Sequence, residues 1–196
     1  MLSVNDIQIR DPFVLTVPEE GCYYLYGTTD EDPWSGRAQG FRAYKSRDLE
    51  NWEGPYTVFT PPPDFWADRN FWAPEVHRYR GAYYMPASFK SAEHRRAVHI
   101  LWSRNPLGPF LPLSPEPVTP EGWECLDGTL YWDETDSPWL IFSHEWTLSL
   151  IHILSNPVWD MSVQNGHVPN RIGHVPLHNF IIHRKSQACN VGTDTL

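Results

Sequence analysis

Three acidic residues of this chain, Asp11, Glu75 and Asp127, each stand at the head of a similar stretch, and an aromatic segment follows each one shortly afterwards. The stretches are IRDPFV at 9–14, WAPEV at 72–76 and CLDGTLY at 125–131. Carboxylates held close together suit proton transfer, because one can accept a proton while repulsion keeps a neighbour protonated. The pattern therefore indicates general acid–base chemistry, provided that the fold brings the three acids together.

The elements around these acids are predicted to be short β-strands. Apolar and aromatic residues alternate over segments bounded by Pro, Gly and Asn, and 19 prolines discourage long helices. The predicted strands are residues 7–17, 22–28, 41–46, 56–59, 75–79, 83–89, 97–102, 128–132 and 138–143. A polar turn closed by an aromatic residue ends the third strand twice, at Ser46–Trp52 and at Ser103–Phe110. We therefore predict an all-β fold.

The spacing of these strands indicates a repeat. A unit of roughly 50 to 60 residues with four strands is a propeller blade, or alternatively a sandwich repeat. Because the innermost strand of each blade starts near the central axis, acids at equivalent starts would converge on one funnel. Three structural alternatives stay open: Asp11 as a turn residue before Pro12, Asp127 in an Asp-Gly turn, and Glu75 as a hydrogen-bonding acid.

Several of these motifs carry a family resemblance. The motifs are RDPF at 10–13, WAPEVH at 72–77, LDGT at 126–129 and FSHEW at 142–146. In this order and spacing they resemble glycoside hydrolase family 43 over about residues 5–147. The resemblance implies a five-bladed β-propeller that hydrolyses O-glycosidic bonds in arabinose- or xylose-containing glycans with inversion. Its expected partner is an oligo- or polysaccharide substrate.

The same resemblance implies roles for the acids. Asp11 would be the general base, Asp127 would modulate the pKa of the general acid, and Glu75 would line the substrate pocket. The family's general acid is a glutamate of a later blade, and no glutamate follows Glu145. We therefore expect an incomplete propeller of about two and a half blades that is inactive by itself. The alternatives are a non-catalytic carbohydrate-binding propeller and a protein-interaction propeller.

Three further residues are candidate substrate contacts: Trp72, Arg69 and His144. Other aromatic residues of the loops could stack on sugars or pack into the core; they are Trp34, Phe65, Trp66 and Phe71. Trp34 has no obvious core to join, and Trp72 is the best stacking candidate.

The composition changes after residue 147. Residues 148–196 contain two of the 24 acidic residues and five of the nine histidines. The junction LSLIHI at 148–153 can be back-translated to a transposase end sequence used in preparing sequencing libraries. We predict a partial propeller domain at 1–147 and an unrelated or artefactual, disordered tail at 148–196. A genuine, divergent C-terminal segment is the alternative.

Composition excludes several classes of function. A formal net charge of −9 disfavours nucleic acid, whose phosphates need a basic surface. No apolar run reaches the roughly 18 residues of a membrane span. The three cysteines form no CxxC motif, so a zinc site of the usual spacing is not expected. No other metal or cofactor is predicted. Because the N-terminus shows no signal-peptide pattern, we expect a cytoplasmic protein.

Overall fold

The computed structural model describes residues 1–145 and the backbone of 152–155. These residues form 13 strands and two short 3-10 helices, Val4–Asp6 and Pro18–Glu20. The predicted all-β class is therefore confirmed.

The strands form three antiparallel sheets, which follow one another along the chain and correspond to the predicted blades. The first sheet contains β1 (Leu2–Ser3), β2 (Arg10–Val17), β3 (Cys22–Thr28), β4 (Phe41–Ser46) and β5 (Asn51–Phe59). The second contains β6 (Arg69–Trp72), β7 (His77–Tyr79), β8 (Ala82–Lys90), β9 (Ala97–Ser103) and β10 (Leu111–Pro112). The third contains β11 (Cys125–Trp132), β12 (Pro138–His144) and β13 (His152–Ser155).

The strands that carry Asp11 and Asp127 lie at one side of their sheets, and Glu75 lies between β6 and β7. The order is β1-β5-β4-β3-β2 in the first sheet and β10-β9-β8-β6 in the second, with β7 also paired to β8. In the third sheet β11 pairs with β12, which pairs with β13. Most consecutive strands are neighbours, as in a meander; the exceptions are β1, which pairs with β5, and β6, which pairs with β8. The strands β2, β6 and β11 hold corresponding places at one side of their sheets.

Two apolar cores join the sheets face to face. Sheets one and two bury a cluster of aromatic rings that includes Tyr26, Phe41, Phe59, Phe71 and Phe89. Sheets two and three bury a second cluster, which includes Tyr84, Ile100, Leu130, Leu140 and Phe142. Alternate residues of β8 supply both clusters, because successive side chains of a strand point to opposite faces. The second sheet is therefore covered on both faces, which fixes its neighbours on either side of it.

The predicted boundary at residue 147 lies outside the described residues. Residues 146–151 and 156–196 lie outside the described residues, and β13 extends the third sheet with the backbone of residues 152–155. The prediction that 148–196 is unrelated to the propeller stays a prediction. Among the described residues, no helix is long and apolar enough to cross a membrane.

Candidate functional site

Asp11 and Asp127 lie in the same kind of β-bulge in two different blades. In β2 the pairing shifts between Arg10 and Phe13, and in β11 it shifts between Leu126 and Thr129. Each aspartate lies inside the resulting β-bulge with a positive φ, 49° for Asp11 and 53° for Asp127. This left-handed region is uncommon for residues other than glycine, although aspartate tolerates it better than most. A bulge re-aims its side chain relative to the strand, so both carboxylates are placed by the backbone itself.

The second blade has the same bulge but no acid inside it. Trp72 pairs with Ser88, and the next ladder hydrogen bond runs from the Glu75 amide to the Pro86 carbonyl at 3.2 Å. The bulge residue between them is Ala73, with a φ of 45°. The prediction that one acid returns at the same point of all three repeats is therefore wrong for the second. Glu75 lies two residues further along, in register with Phe13 and Thr129 of the other blades.

The acids of the three blades nevertheless act on one another. The side chain of Asp127 is open to solvent at the bulge, but the surrounding protein removes part of its hydration. This desolvation raises the pKa of Asp127, and the negative charge of Asp11 raises it further, with smaller contributions from Glu145 and Glu75. We call Asp11, Glu75, Asp127 and Glu145 the acid cluster. Repulsion among these carboxylates can keep one of them protonated while another stays ionised and accepts a proton.

Glu75 is held as an anion. Burial alone would raise the pKa of Glu75, but hydrogen bonds from His77 and Thr129 outweigh it and the pKa is lowered. The His77 Nε2 atom lies 3.0 Å from the Glu75 carboxylate. A carboxylate held ionised between two donors suits hydrogen bonding to hydroxyl groups better than proton donation. The neighbouring Thr129 belongs to β11, so Glu75 also links the second and third sheets.

Arg96 is a functional candidate that the sequence analysis missed. Its side chain is buried, its guanidinium pairs with the Glu145 carboxylate, and its Cζ atom lies 4.3 Å from the centre of the Trp72 ring. Its positive charge lowers the pKa of Asp127 and so opposes the effect of the other acids of the cluster on that pKa. The sequence places Arg96 at the end of a charged loop beside the exposed Arg95, and nothing in that pattern indicates which of the two is buried.

Trp34 and Trp72 form an aromatic corner beside the first bulge. Their ring centres are 4.9 Å apart in an edge-to-face arrangement, and the Trp72 Nε1 atom donates to the Pro33 carbonyl at 2.6 Å. Trp34 is 63% exposed, and the Arg10 guanidinium lies 5.2 Å from its ring centre. An exposed ring next to a half-buried one is the arrangement expected of a sugar-stacking surface.

The remaining loop aromatics have a different role. Phe71 is buried in the core between the first two sheets, and Phe65 and Trp66 pack against that core. Their contacts are mostly edge-to-face, as is usual for close aromatic packing. Of the candidates for stacking, Phe71 is buried, Trp34 is exposed, and Phe65, Trp66 and Trp72 are partly exposed. Phe65 and Trp66 are held against the core, whereas Trp72 packs against the exposed Trp34.

Comparison with known proteins identifies the family. The sequence model of glycosyl hydrolases family 43 matches residues 4–163, which is most of the chain. The chain belongs to glycosyl hydrolase family 43. The resemblance of its motifs to this family is thereby confirmed, and so is the family's propeller as the fold.

Several family 43 relatives are similar to the chain. An extracellular endo-α-(1→5)-L-arabinanase from Bacillus subtilis is 26% identical over 151 residues, which cover 71% of this chain and 44% of the relative. The structure of an endo-arabinase from Bacteroides thetaiotaomicron matches with 38% identity and a TM-score of 0.70 over 79% of this chain and 53% of that one. An endo-1,4-β-xylanase structure from the same organism matches with 26% identity and a TM-score of 0.59, covering 75% and 46%. The chain thus spans about half the length of the relatives it matches.

One sequence-based expectation is contradicted by these relatives. The matched arabinanase from Bacillus subtilis is an extracellular protein, so the prediction of a cytoplasmic family 43 protein is wrong. That prediction depended on the residues at the start of the chain, which carry no information about the compartment if a leader precedes them.

The other two predicted substrate contacts are Arg69 and His144. Arg69 forms two hydrogen bonds with the adjacent Asp68, at 2.8 and 3.2 Å, and its side chain is 44% exposed. His144 ends β12 and stacks on Trp123, with ring centres 4.3 Å apart and planes at 7°. Their contact with substrate stays a prediction. Within residues 1–145, no three His, Cys, Asp or Glu side chains are grouped so that they could hold a metal ion.

Proposed function

We propose that these blades carry the water-activating side of the active site of an inverting glycosidase. Asp11 is the general base that takes a proton from the attacking water, and Asp127 modulates the pKa of the proton donor. Glu75, Trp72 and Trp34 bind the sugar. The observation that carries the proposal is the matched pair of bulges in two blades. One bulge holds Asp11 and the other holds Asp127, close enough for the charge of Asp11 to raise the pKa of Asp127.

The proposed substrate is a polymer of arabinose, in particular α-1,5-arabinan. The supporting observation is that two of the most similar relatives are arabinanases, one of them 38% identical over most of this chain. A xylanase structure is also similar, so xylan is the comparison substrate for any assay. We also propose that the protein acts outside the cell, as the matched Bacillus subtilis relative does.

Two features support the proposed roles of Asp11 and Asp127. A general base must present an accessible carboxylate, and Asp11 lies at the exposed end of β2 with one hydrogen bond, from Thr28 at 3.3 Å. Burial raises the pKa of Asp127, and the negative charges of Asp11, Glu145 and Glu75 raise it further, so this pKa responds to the charge of its neighbours. We place the proton donor in a later blade, so the chain taken by itself is expected to bind arabinan without cleaving it.

The test measures reducing ends released from debranched arabinan by the whole protein that contains these blades. Asp11→Asn keeps the size of the side chain but cannot accept the proton, so kcat should fall about 10²- to 10⁴-fold with binding retained. Glu19→Gln is the matched control, because it removes one carboxylate at the opposite end of the same hairpin. It should leave turnover unchanged.

Three outcomes would each contradict a part of the proposal. Turnover that survives in Asp11→Asn would remove Asp11 from the mechanism. Binding of arabinan by the wild type without any turnover would support the alternative of a non-catalytic carbohydrate-binding propeller. Faster turnover of xylan than of arabinan would contradict the proposed substrate while leaving the assignment of Asp11 intact.

A further inference from the structure

Two hydrogen bonds of the same kind connect consecutive blades. The Ala73 amide donates to the Thr28 hydroxyl at 3.0 Å, and the Asp127 amide donates to the Ser88 hydroxyl at 3.1 Å. In both cases the donor is the positive-φ residue of a bulge, and the acceptor belongs to the preceding sheet. The contact therefore repeats from blade to blade.

The acceptors occupy one register position. Thr28 pairs with Arg10, Ser88 with Trp72 and Ser143 with Leu126, in each case the residue just before the bulge of their own blade. All three carry a hydroxyl. Each hydroxyl residue thus lies beside its own bulge and, in the first two blades, reaches the bulge of the next.

Burial makes these hydroxyls costly to lose. Ser88 is fully buried and Thr28 is 2% exposed. The extra residue of a bulge is left out of the ladder, so its amide needs another acceptor. Without one, a non-glycine residue would be held in the left-handed region with an unsatisfied amide, and the local backbone would relax.

We propose that Ser88 is a positioning residue for Asp127 through its backbone amide, and that Thr28 positions Asp11 by a different contact, with its carboxylate. The Thr28 hydroxyl donates to the Asp11 carboxylate at 3.3 Å while it accepts from the Ala73 amide, so it connects the first carboxylate to the second blade. Ser88 fixes the backbone of Asp127 to the second blade in the same way. This inference rests on the proposed function, because the contact is taken to keep the two carboxylates at the spacing that catalysis needs.

The positioning has a chemical consequence. The charge of Asp11 is the second-largest reason that the pKa of Asp127 is raised, after desolvation. A bulge that relaxes changes the distance between the two carboxylates and therefore the strength of this repulsion. Loss of the Ser88 hydroxyl should thus change both the rate and its pH dependence, whereas a purely structural serine would change only stability.

The first arm of the test needs no turnover. Amide hydrogen exchange is measured by NMR on the chain for Ser88→Ala and Thr28→Val. The Asp127 amide should exchange about tenfold faster in Ser88→Ala, with the Ala73 amide unchanged, and Thr28→Val should give the reverse pattern. Each variant is thereby the control of the other. Unchanged exchange at Asp127 in Ser88→Ala would overturn the inference.

The second arm measures turnover of arabinan by the whole protein. Ser88→Ala should lower kcat about 10- to 100-fold with little change in KM, and should move the acidic limb of the pH profile. Ser88→Thr, which introduces the residue found in the first blade, should restore most of the rate. Unaltered kcat and pH profile in Ser88→Ala would overturn the inference.

Two further outcomes separate this inference from the proposed function. If Ser88→Ala does not fold, Ser88→Cys keeps the volume with a weaker acceptor and should show the same effects at smaller size. An inactive wild type would overturn the proposed function, while the reciprocal exchange pattern would still support the placing of Asp127 by Ser88.

Discussion

His99 makes a pH-dependent contribution to stability that the structure allows to be worked out. It lies in β9, fully buried, and its Nδ1 atom accepts a hydrogen bond from the Trp66 indole at 3.0 Å. The Phe65 and Phe89 rings lie 5.3 and 6.1 Å away, centre to centre. This burial lowers the pKa of His99 from 6.5 to about 4, against a smaller opposing effect of the Ser114 backbone.

The sign of the effect follows from which state binds the proton. The unfolded chain protonates His99 near pH 6.5, whereas the folded protein resists protonation down to about pH 4. The contribution of His99 is therefore complete above pH 6.5 and is lost as the pH falls from 6.5 to about 4. At 1.36 kcal/mol per pKa unit, the full loss is about 3 kcal/mol, and about 2.5 kcal/mol of it is reached by pH 4.5.

The assay is chemical unfolding at pH 7.5 and pH 4.5 for the wild type and for His99→Asn. The asparagine carbonyl can still accept from the Trp66 indole but does not titrate in this range. The variant should lose about 2.5 kcal/mol less than the wild type between the two pH values. His94→Asn, an exposed histidine whose ring also contacts Trp66, supplies the baseline for the substitution itself. Parallel pH dependence of the wild type and His99→Asn would refute the reasoning.

Three further predictions concern the site and the contact between blades. Replacing Arg96 by Met removes the cation that lowers the pKa of Asp127, so carbon-13 NMR should show that pKa rising, whereas Arg96→Lys should leave it closer to the wild-type value. An unchanged titration of Asp127 in Arg96→Met would contradict the arrangement. Trp34→Ala should weaken arabino-oligosaccharide binding about tenfold in calorimetry without lowering stability, because the ring is exposed. Equal affinity would exclude Trp34 from the site. Gly128→Ala should destabilise the protein by about 1–3 kcal/mol, since the added Cβ would lie 2.6 Å from a Val98 methyl. The second change Val98→Ala should recover part of this lost stability. Additive effects of the two changes on stability would count against this contact.

The strands in which apolar and aromatic residues recur over six or more positions could be predicted from the sequence, because burial of one or both faces of a strand shows directly in this pattern. The two-residue strands β1 and β10 could not, since two residues carry no period. The strand β5 begins at Asn51 rather than at the predicted Tyr56. Its first residues read as a turn, and they are extended because they pair with the end of β4.

The candidate site was predictable where one residue decides the geometry. Asp11 before Pro12 and Asp127 before Gly128 both indicated a turn-like backbone, and both prove to lie in bulges that position a carboxylate. Which residue enters the second bulge depends on register against β8, and this pairing places Ala73 there rather than Glu75.

Arg96 could not be found from its own surroundings in the sequence. Its burial depends on Trp72 in β6 and on Glu145 after β12, which are distant along the chain. The hydroxyls of Thr28 and Ser88 were equally hidden, because their partners lie in the following blade. Contacts between blades thus determine the surroundings of Arg96, Thr28 and Ser88, which no local pattern in the sequence indicates.

The central claim is that Asp11 activates water for direct attack on the glycosidic carbon. Proton NMR of the first product formed from α-1,5-arabinan by the whole protein tests it most directly. An inverting reaction releases the β-anomer first, and the NMR signal of the β-anomer should be absent in Asp11→Asn. First release of the α-anomer would contradict the account, because retention requires a carboxylate to act as the nucleophile.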